Sequence, residues 1–411
     1  MGAIDHGRIL EAQIALICAR ASLTPERRAR LGELLTHRVD WSRLLALADR
    51  HGVLPLVSHH LTQSVAAAVP SAIGEELLTR TRAIAGRNLL MTSELIRVVR
   101  RLEACGIPAL PYKGPVLAMT AYERLGLRSF DDLDLLIPPS RVRESIRIMI
   151  EDGYHPVYRL TPAQEAAYLR TQCEYIVERD DVRVELHWQI VPRYFGWPFD
   201  GDRLRSRATS TSLAGATLRT MSLEDLVLVL CAHGSKHCWD RLEWVASLAE
   251  IVRRYPAIDW REIDDQARRA GARRMLDVSL SLIRDVMQDE LPPAVSRHAD
   301  RDPTARALAG EVGRRFHSGD LGVLDRPQEV RFHLRSRERL ADRLRYVARL
   351  GTTQTLGDWD LASLPRGLDA FYRVIRPVRL LGKFGPTVVM RSLRALTGAS
   401  RAGDPRSGPP R

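Results

Sequence analysis

The chain has 411 residues, of which 45% are hydrophobic, so it can build packed cores in roughly two to four domains and is not expected to be globally disordered. Its formal net charge is +12, and residues 326–411 hold 18 Lys or Arg against 7 Asp or Glu, a net charge of +11. The positive charge is therefore concentrated in the last fifth of the chain. This asymmetry predicts an acidic partner for that segment, either an anionic membrane surface or RNA.

The five cysteines are widely separated and form no C-x-x-C pair, which favours a reduced compartment over a disulfide framework. The first residues lack the apolar segment of a signal peptide, and no stretch approaches the roughly 18 apolar residues of a membrane span. We therefore expect a cytoplasmic protein, with peripheral attachment to a membrane as a further hypothesis.

Residues 1–103 are predicted to be helical, because apolar residues recur every three or four positions and no β-type pattern precedes residue 107. Thr24 and Asp40 are expected to begin helices, and Gly106 follows the last of them. Residues 104–222 change pattern. A strand-to-helix turn at Lys113-Gly114 comes first, then a short strand, then a helix capped by Ser140.

A β-hairpin is predicted in "CEYIVERDDVRVELHWQI", with Asp180-Asp181 at its turn. Ser222 begins a further helical region over residues 223–290, and a polar join follows at 289–303. A basic helical region over 304–396 and a disordered tail at 397–411 complete the chain. These patterns indicate an α+β fold in which a small core with a mixed sheet is embedded in a largely α-helical chain.

Two carboxylates occupy the upstream half of a short buried strand in "RSFDDLDLLIPP". Strand side chains alternate between faces, so Asp132 and Asp134 point the same way, opposite to Leu133 and Leu135. Two neighbouring carboxylates repel each other, and a divalent cation such as Mg2+ between them would relieve that repulsion. The alternative is a strand end at a solvent-exposed rim.

A third carboxylate is supplied by the hairpin, where Glu185 shares a face with Arg183 and His187. On a strand next to the Asp pair, Glu185 would complete a cage for two Mg2+ ions, which activate an attacking oxygen and neutralise a departing pyrophosphate. An ordinary hairpin with Glu185 in solvent is the alternative.

Phosphate-binding groups are predicted at two places. Gly114 lets the backbone approach a phosphate at a helix start, and Lys113 adds a charge, although a plain turn would look the same. In "HGSKHCW", His233, Lys236 and His237 share one helical face, which favours phosphate contact through Lys236. Packing histidines and a zinc site are the alternatives, and Cys231 and Cys238 project from the opposite side of the helix.

The order of these motifs resembles the DNA polymerase β-type nucleotidyltransferase superfamily. K-G is followed by a helix, by R-x-x-x-D-x-D in a strand, and by a later acid before H-W. The chain is most similar to a large, mostly uncharacterised bacterial nucleotidyltransferase family within it, over about residues 107–244. K-G replaces the G-S or G-G of the wider superfamily, and Glu185 stands where Asp is common.

This resemblance implies a nucleotidyltransferase that moves a nucleoside monophosphate from an NTP to an acceptor hydroxyl. Asp132, Asp134 and Glu185 would be the catalytic residues and the ligands of Mg2+ or Mn2+. Lys113, Gly114, Arg128 and Lys236 would bind the nucleotide, with His187, His233 and His237 as further candidates.

The acceptor is left open among a small molecule, a glycan precursor, a protein and tRNA. Two other functions are compatible with parts of the pattern. A D-x-D glycosyltransferase also binds a metal-nucleotide, but it would need alternating strands and helices before the acids. A non-catalytic scaffold would bind RNA or a membrane through the basic C-terminal region.

Overall fold

The structure is a computed structural model and describes residues 6–197 and 199–361, together with Arg376 and Arg379. Five helices come first, as the periodicity predicts: α1 His6–Cys18, α2 Pro25–Leu34, α3 Trp41–Arg50, α4 Leu54–Gln63 and α5 Ser71–Ala104. Thr24 and Asp40 are confirmed as N-caps, because their side chains accept hydrogen bonds from the backbone N–H groups three residues further on.

The strands and the helices between them lie within residues 110–220. The strands are β1 Leu110–Pro111, β2 Asp132–Leu136, β3 His155–Pro156, β4 Glu174–Arg179, β5 Val182–His187, β6 Thr209–Leu213 and β7 Ala216–Thr220. The helices are α6 Gly114–Tyr122, α7 Val142–Glu151, α8 Pro162–Thr171 and α9 Gly201–Ser206. Ser140 is not the cap of α7, since it lies in a short 3-10 turn after two prolines, and α7 begins at Val142.

Helices make up the rest of the described chain. They are α10 Leu223–Lys236, α11 Leu242–Arg254, α12 Trp260–Ala270, α13 Arg273–Asp285, α14 Pro293–Ser296, α15 His298–Arg301, α16 Pro303–His317, α17 Arg326–Arg335, α18 Leu340–Thr352 and α19 Leu356–Leu361. The Ser222 side chain caps α10 as expected. Among the described residues, every helix is too short or too polar to traverse a bilayer.

A mixed five-stranded sheet has the order β1-β2-β5-β4-β3, in which β2 and β5 are parallel and the other neighbours are antiparallel. The predicted hairpin is β4–β5, and its turn residues Asp180 and Asp181 have φ values of 50° and 62°. Two successive positive φ angles give the turn a twist that matches the strands. A second hairpin, β6–β7, was not predicted, because β6 buries one side chain, Leu213.

One face of the sheet is apolar and the other carries charge. Leu133 and Leu135 of β2 and Val184 of β5 belong to the same buried cluster as α5 and α7. The alternation along β2 and β5 therefore places Asp132, Asp134 and Glu185 on the opposite face. A second core joins α1–α4 to α10–α13 and α16.

The basic segment packs on the rest of the molecule as far as it is described. Leu334 and Tyr346 are buried, and the Arg337 guanidinium lies 4.7 Å from the ring centre of Phe195 and 4.1 Å from that of Tyr346. In "RFHLRSRERLADRLRYVARLG", apolar residues recur at helical spacing at 340, 344, 347 and 350, and two of these four are nevertheless exposed, Leu340 by 57% and Leu344 by 52%. The tail at 397–411 lies outside the described residues.

Deleting residues 326–411 should destabilise the protein strongly. It removes the buried side chains of Phe332, Leu334 and Tyr346, each worth about 2 kcal/mol in transfer free energy, from a total that is commonly about 5–15 kcal/mol. We expect aggregation, or a large drop in Tm by circular dichroism. The matched control replaces the exposed Leu340 and Leu344 by Ser and should keep the Tm. A soluble truncated protein with an unchanged Tm would contradict this packing.

Candidate active site

The carboxylates of Asp132, Asp134 and Glu185 lie on the polar face of the sheet. In the parallel register Asp134 lies opposite Glu185, and Asp132 lies two residues upstream on the same face. Ligand atoms of Asp134, Glu185 and His187 lie within 4.8 Å of one another. The structure therefore brings Asp134 and Glu185 together from two separate strands, while no group of close metal-ligand atoms in the described residues includes Asp132.

Asp134 is fully buried and holds the centre of this cluster. Its Oδ1 accepts a hydrogen bond from Lys113 Nζ at 2.7 Å and lies 3.1 Å from His187 Nε2. Its Oδ2 is buried and has no hydrogen-bond partner among the described residues. Asp134 Oδ1 is thus paired with cationic side chains, while Oδ2 can still accept a hydrogen bond or bind a metal ion.

The two aspartates have opposite electrostatic environments. Burial alone would raise the pKa of Asp134, but the charges of Lys113 and His187 hold it well below its usual value. Burial and the adjacent Asp134 carboxylate raise the pKa of Asp132 to about 7. Without a bound cation, Asp134 is the ionised partner and Asp132 carries the unfavourable charge.

His187 joins two groups of acids. Its Nε2 lies 3.3 Å from Glu185 Oε2 as well as near Asp134, and its Nδ1 lies 3.4 Å from Glu174 Oε2. Burial alone would lower the pKa of His187, but its hydrogen bonds to the acids raise it well above the ordinary value. The imidazole is therefore a buried cation, and its proposed role is electrostatic.

Glu174 is a fourth acid of the site that the sequence reasoning missed. It pairs with His187 in the β4–β5 register, and its carboxylate, the Cys173 thiol and His187 form a second group of potential metal ligands. Burial would raise the pKa of Glu174, but Lys236 and His187 lower it. Counting back from the Asp180-Asp181 turn gives position 174 as the partner of 187, so the predicted hairpin held the signal.

The backbone geometry at position 114 favours glycine whether or not a ligand binds there. Its φ is +51°, and a Cβ there would lie 3.3 Å from the carbonyl oxygen of Asp132. Glycine therefore lets the start of α6 approach β2 and brings Lys113 within reach of Asp134. The predicted phosphate contact of this turn stays a prediction.

Arg128 is a buried cation whose charge acts on Asp132 and on the buried Glu243. It is 8% exposed, and neither Nε nor Nη1 has a hydrogen-bond partner among the described residues. The Asn88 amide donates to the Arg128 carbonyl at 2.7 Å and fixes the backbone. Such a guanidinium has unused donors, which suits an anionic ligand.

The predicted trio on α10 divides into two parts. Burial would lower the pKa of the Lys236 ammonium, but the negative charge of Glu174 raises it. His233 and His237 contact each other at 4.7 Å between ring centres, and each lies 5.2 Å from Trp244. No group of metal ligands in the described part of the chain includes either histidine, so the zinc alternative gains no support.

Trp239 lies in the turn that follows α10, the helix that ends at Lys236. It is fully buried, and both Cys238 and Trp239 have positive φ angles, which turn the chain back over α10. A Cβ at Gly234 would lie 2.5 Å from the indole, so the ring packs directly on that glycine. This part of "HGSKHCW" therefore serves packing.

Asp132→Asn and Asp134→Asn should have opposite effects on the free energy of unfolding. Asn at 132 removes a carboxylate that its neighbours repel, so stability should stay equal or rise. Asn at 134 leaves Lys113 and His187 without their shared anion and should cost about 3 kcal/mol, as for one partner of a buried ion pair. Urea unfolding at pH 7.5 measures both, and equal losses in the two variants would contradict this assignment of charge.

Comparison with known proteins supplies a family. The family described as uncharacterised nucleotidyltransferase matches residues 37–288, which is more than half of the chain. No curated protein matches. A solution structure of the antibiotic-resistance factor ANT(2'')-Ia is 14% identical, covering 52% of this chain and 100% of its own, and its TM-score of 0.27 is too low to carry an argument. On the family match, this chain belongs to the uncharacterised nucleotidyltransferase family.

Proposed function

We propose that the protein transfers a nucleoside monophosphate from an NTP to an acceptor hydroxyl, with Mg2+ or Mn2+ as the cofactor. The observation that carries this proposal is the position of Asp132, Asp134 and Glu185 on one face of two adjacent parallel strands. Asp134 is buried and Asp132 and Glu185 are partly buried, and three carboxylates on one face in a nucleotidyltransferase family are best explained by a cation-dependent reaction.

The side chains fit a hard divalent cation. Asp132, Asp134 and Glu185 offer carboxylate oxygens, the ligands that Mg2+ and Mn2+ prefer. The buried Asp134 Oδ2 has no hydrogen-bond partner among the described residues, so it is available as a ligand. Bound divalent cations would neutralise phosphate charge and make the acceptor hydroxyl more acidic.

The cations of the site are proposed to bind the triphosphate. Arg128 has buried N–H donors without partners among the described residues, Lys113 Nζ lies 2.7 Å from Asp134 Oδ1, and the charge of Lys236 acts on Glu174. Gly114 stands at the N-terminus of α6, where backbone N–H groups favour an anion. His233 and His237 pack against Trp244 and would support the end of α10 near Lys236.

In the reaction, the acceptor oxygen attacks the α-phosphorus and forms a new P–O bond. The bond from the α-phosphorus to the bridging oxygen breaks, and pyrophosphate leaves with that electron pair. Glu185 is proposed to take the proton of the hydroxyl. Its carboxylate is 15% exposed, so it can be reached from solvent and can pass the proton on to water.

The glycosyltransferase alternative is disfavoured. In the described residues, the first strand begins at Leu110 and five helices precede it, so no alternating nucleotide-sugar fold leads to the acids. The family match also specifies nucleotidyl transfer. A scaffold without activity would be recognised by failure of the labelling experiment below.

Incubation with each NTP labelled at the α-phosphate, Mg2+ or Mn2+, and a cell extract should label one acceptor. Glu185→Gln should lower the rate on the order of 10³-fold or more, because it removes the proposed base and a cation ligand. Glu178→Gln is the matched control, since it makes the same change on the same hairpin at a residue paired with Arg183. Equal transfer by wild type and Glu185→Gln would contradict the proposal.

Peripheral docking of the basic segment is a second, separate proposal. The exposed Leu340 and Leu344 would insert at an anionic membrane, although several nearby arginines already donate to backbone carbonyls of the protein. Sedimentation with vesicles containing phosphatidylserine at low salt should bring down the wild type and not the variant with Ser at both positions. Absence of wild-type binding, or binding to RNA alone, would contradict membrane docking.

A further inference from the structure

The last carbonyl of α10 is held by the C-terminal segment. Lys236 ends this helix, so its carbonyl has no intrahelical donor. It accepts a hydrogen bond from His333 Nε2 of α17 at 2.9 Å. His333 lies 97 residues further along the chain and beyond the residues 37–288 that match the family.

The other ring nitrogen fixes the tautomer of His333. A backbone carbonyl can only accept, so Nε2 must carry the proton that is donated to Lys236. The Tyr346 hydroxyl lies 2.8 Å from Nδ1 and donates to it. Burial and the nearby Arg337 charge lower the pKa of His333 to about 3, so the ring is neutral and this directed chain of hydrogen bonds is maintained.

Arg337 attaches the same segment to the loop after β5. Its guanidinium donates to the carbonyls of His333 and Phe195 and stacks on the rings of Phe195 and Tyr346. His333 is 3% and Arg337 2% exposed, so neither is placed to contact a ligand directly. His333 instead contacts the backbone of Lys236, and Arg337 contacts the backbone of Phe195 in the loop after β5.

We propose that His333, oriented by Tyr346, is a positioning residue that fixes the end of α10 and thereby aims Lys236 at the phosphates of the bound nucleotide. This inference rests on the proposed function, in which Lys236 contacts the triphosphate. It gives the C-terminal segment a role in the site that is separate from membrane or RNA docking. Without His333, the unsatisfied carbonyl would draw in water and loosen the last turn of α10.

Binding of inorganic tripolyphosphate in the presence of Mg2+, measured by calorimetry on the full chain, tests this directly. His333→Leu should weaken binding about tenfold, similar to Lys236→Ala, which corresponds to about 1.4 kcal/mol. His333→Gln should stay within about threefold of wild type, because its side-chain amide N–H can reach the same carbonyl. His317→Gln, the same change at an exposed histidine of α16, is the control and should not differ from wild type.

Tyr346→Phe serves if His333→Leu does not fold, since it keeps the ring and removes the donor to Nδ1. Nitrogen-15 NMR of the His333 ring should show a protonated Nε2 and a bare Nδ1 in wild type from pH 5 to 8, and a mixture of tautomers in Tyr346→Phe. That variant should also bind tripolyphosphate several-fold more weakly.

The phosphate contact of Lys236 and the positioning role of His333 are contradicted by different results. If Lys236→Ala binds tripolyphosphate like wild type, the proposed phosphate contact is wrong. If Lys236→Ala weakens binding while His333→Leu or Tyr346→Phe does not, Lys236 is correctly assigned and the positioning role of His333 is overturned. A protonated Nδ1 in the wild-type spectrum would overturn it as well.

Discussion

The ion pair between Lys113 and Asp134 is the interaction on which the site depends. A buried carboxylate without compensation is strongly destabilising, so the buried Asp134 requires cations beside it. Lys113 comes from the start of α6, His187 from β5 and Lys236 from the end of α10. The acids on the polar face of the sheet therefore constrain the position of the start of α6 and of the end of α10.

This constraint connects the helical part of the molecule to the sheet. α10 belongs to the helical core, yet the charge of its last residue, Lys236, interacts with Glu174 of β4 and Glu185 of β5. The Thr220 hydroxyl at the end of β7 donates to the Pro111 carbonyl at 2.7 Å, next to Lys113. The strand-to-helix turn is thus supported from both sides, and a change in helical packing would be transmitted to the carboxylates.

Local patterns predicted much of this arrangement. The period of two placed Asp132, Asp134 and Glu185 on one face, and the hairpin turn was located because it is encoded by adjacent residues. The parallel pairing of β2 with β5 depends on which distant strands become neighbours, whereas the pairing of His187 with Glu174 could have been counted from the hairpin turn and was overlooked. Helical periodicity left open whether the apolar residues of the C-terminal helix pack on the core, and the structure leaves Leu340 and Leu344 exposed. The chemical roles of all these residues remain predictions.

The contact between Gly234 and the Trp239 indole has a consequence for how relatives are compared. Because any side chain at 234 would collide with the ring, the two positions should vary together, with glycine retained wherever the tryptophan is present. Lys236 lies between them and is under a different, electrostatic constraint. Invariance across "HGSKHCW" would therefore have two separate causes. A homologue that loses Lys236 but keeps the Gly-Trp pair would retain the packing of this helix end without the charge that interacts with Glu174.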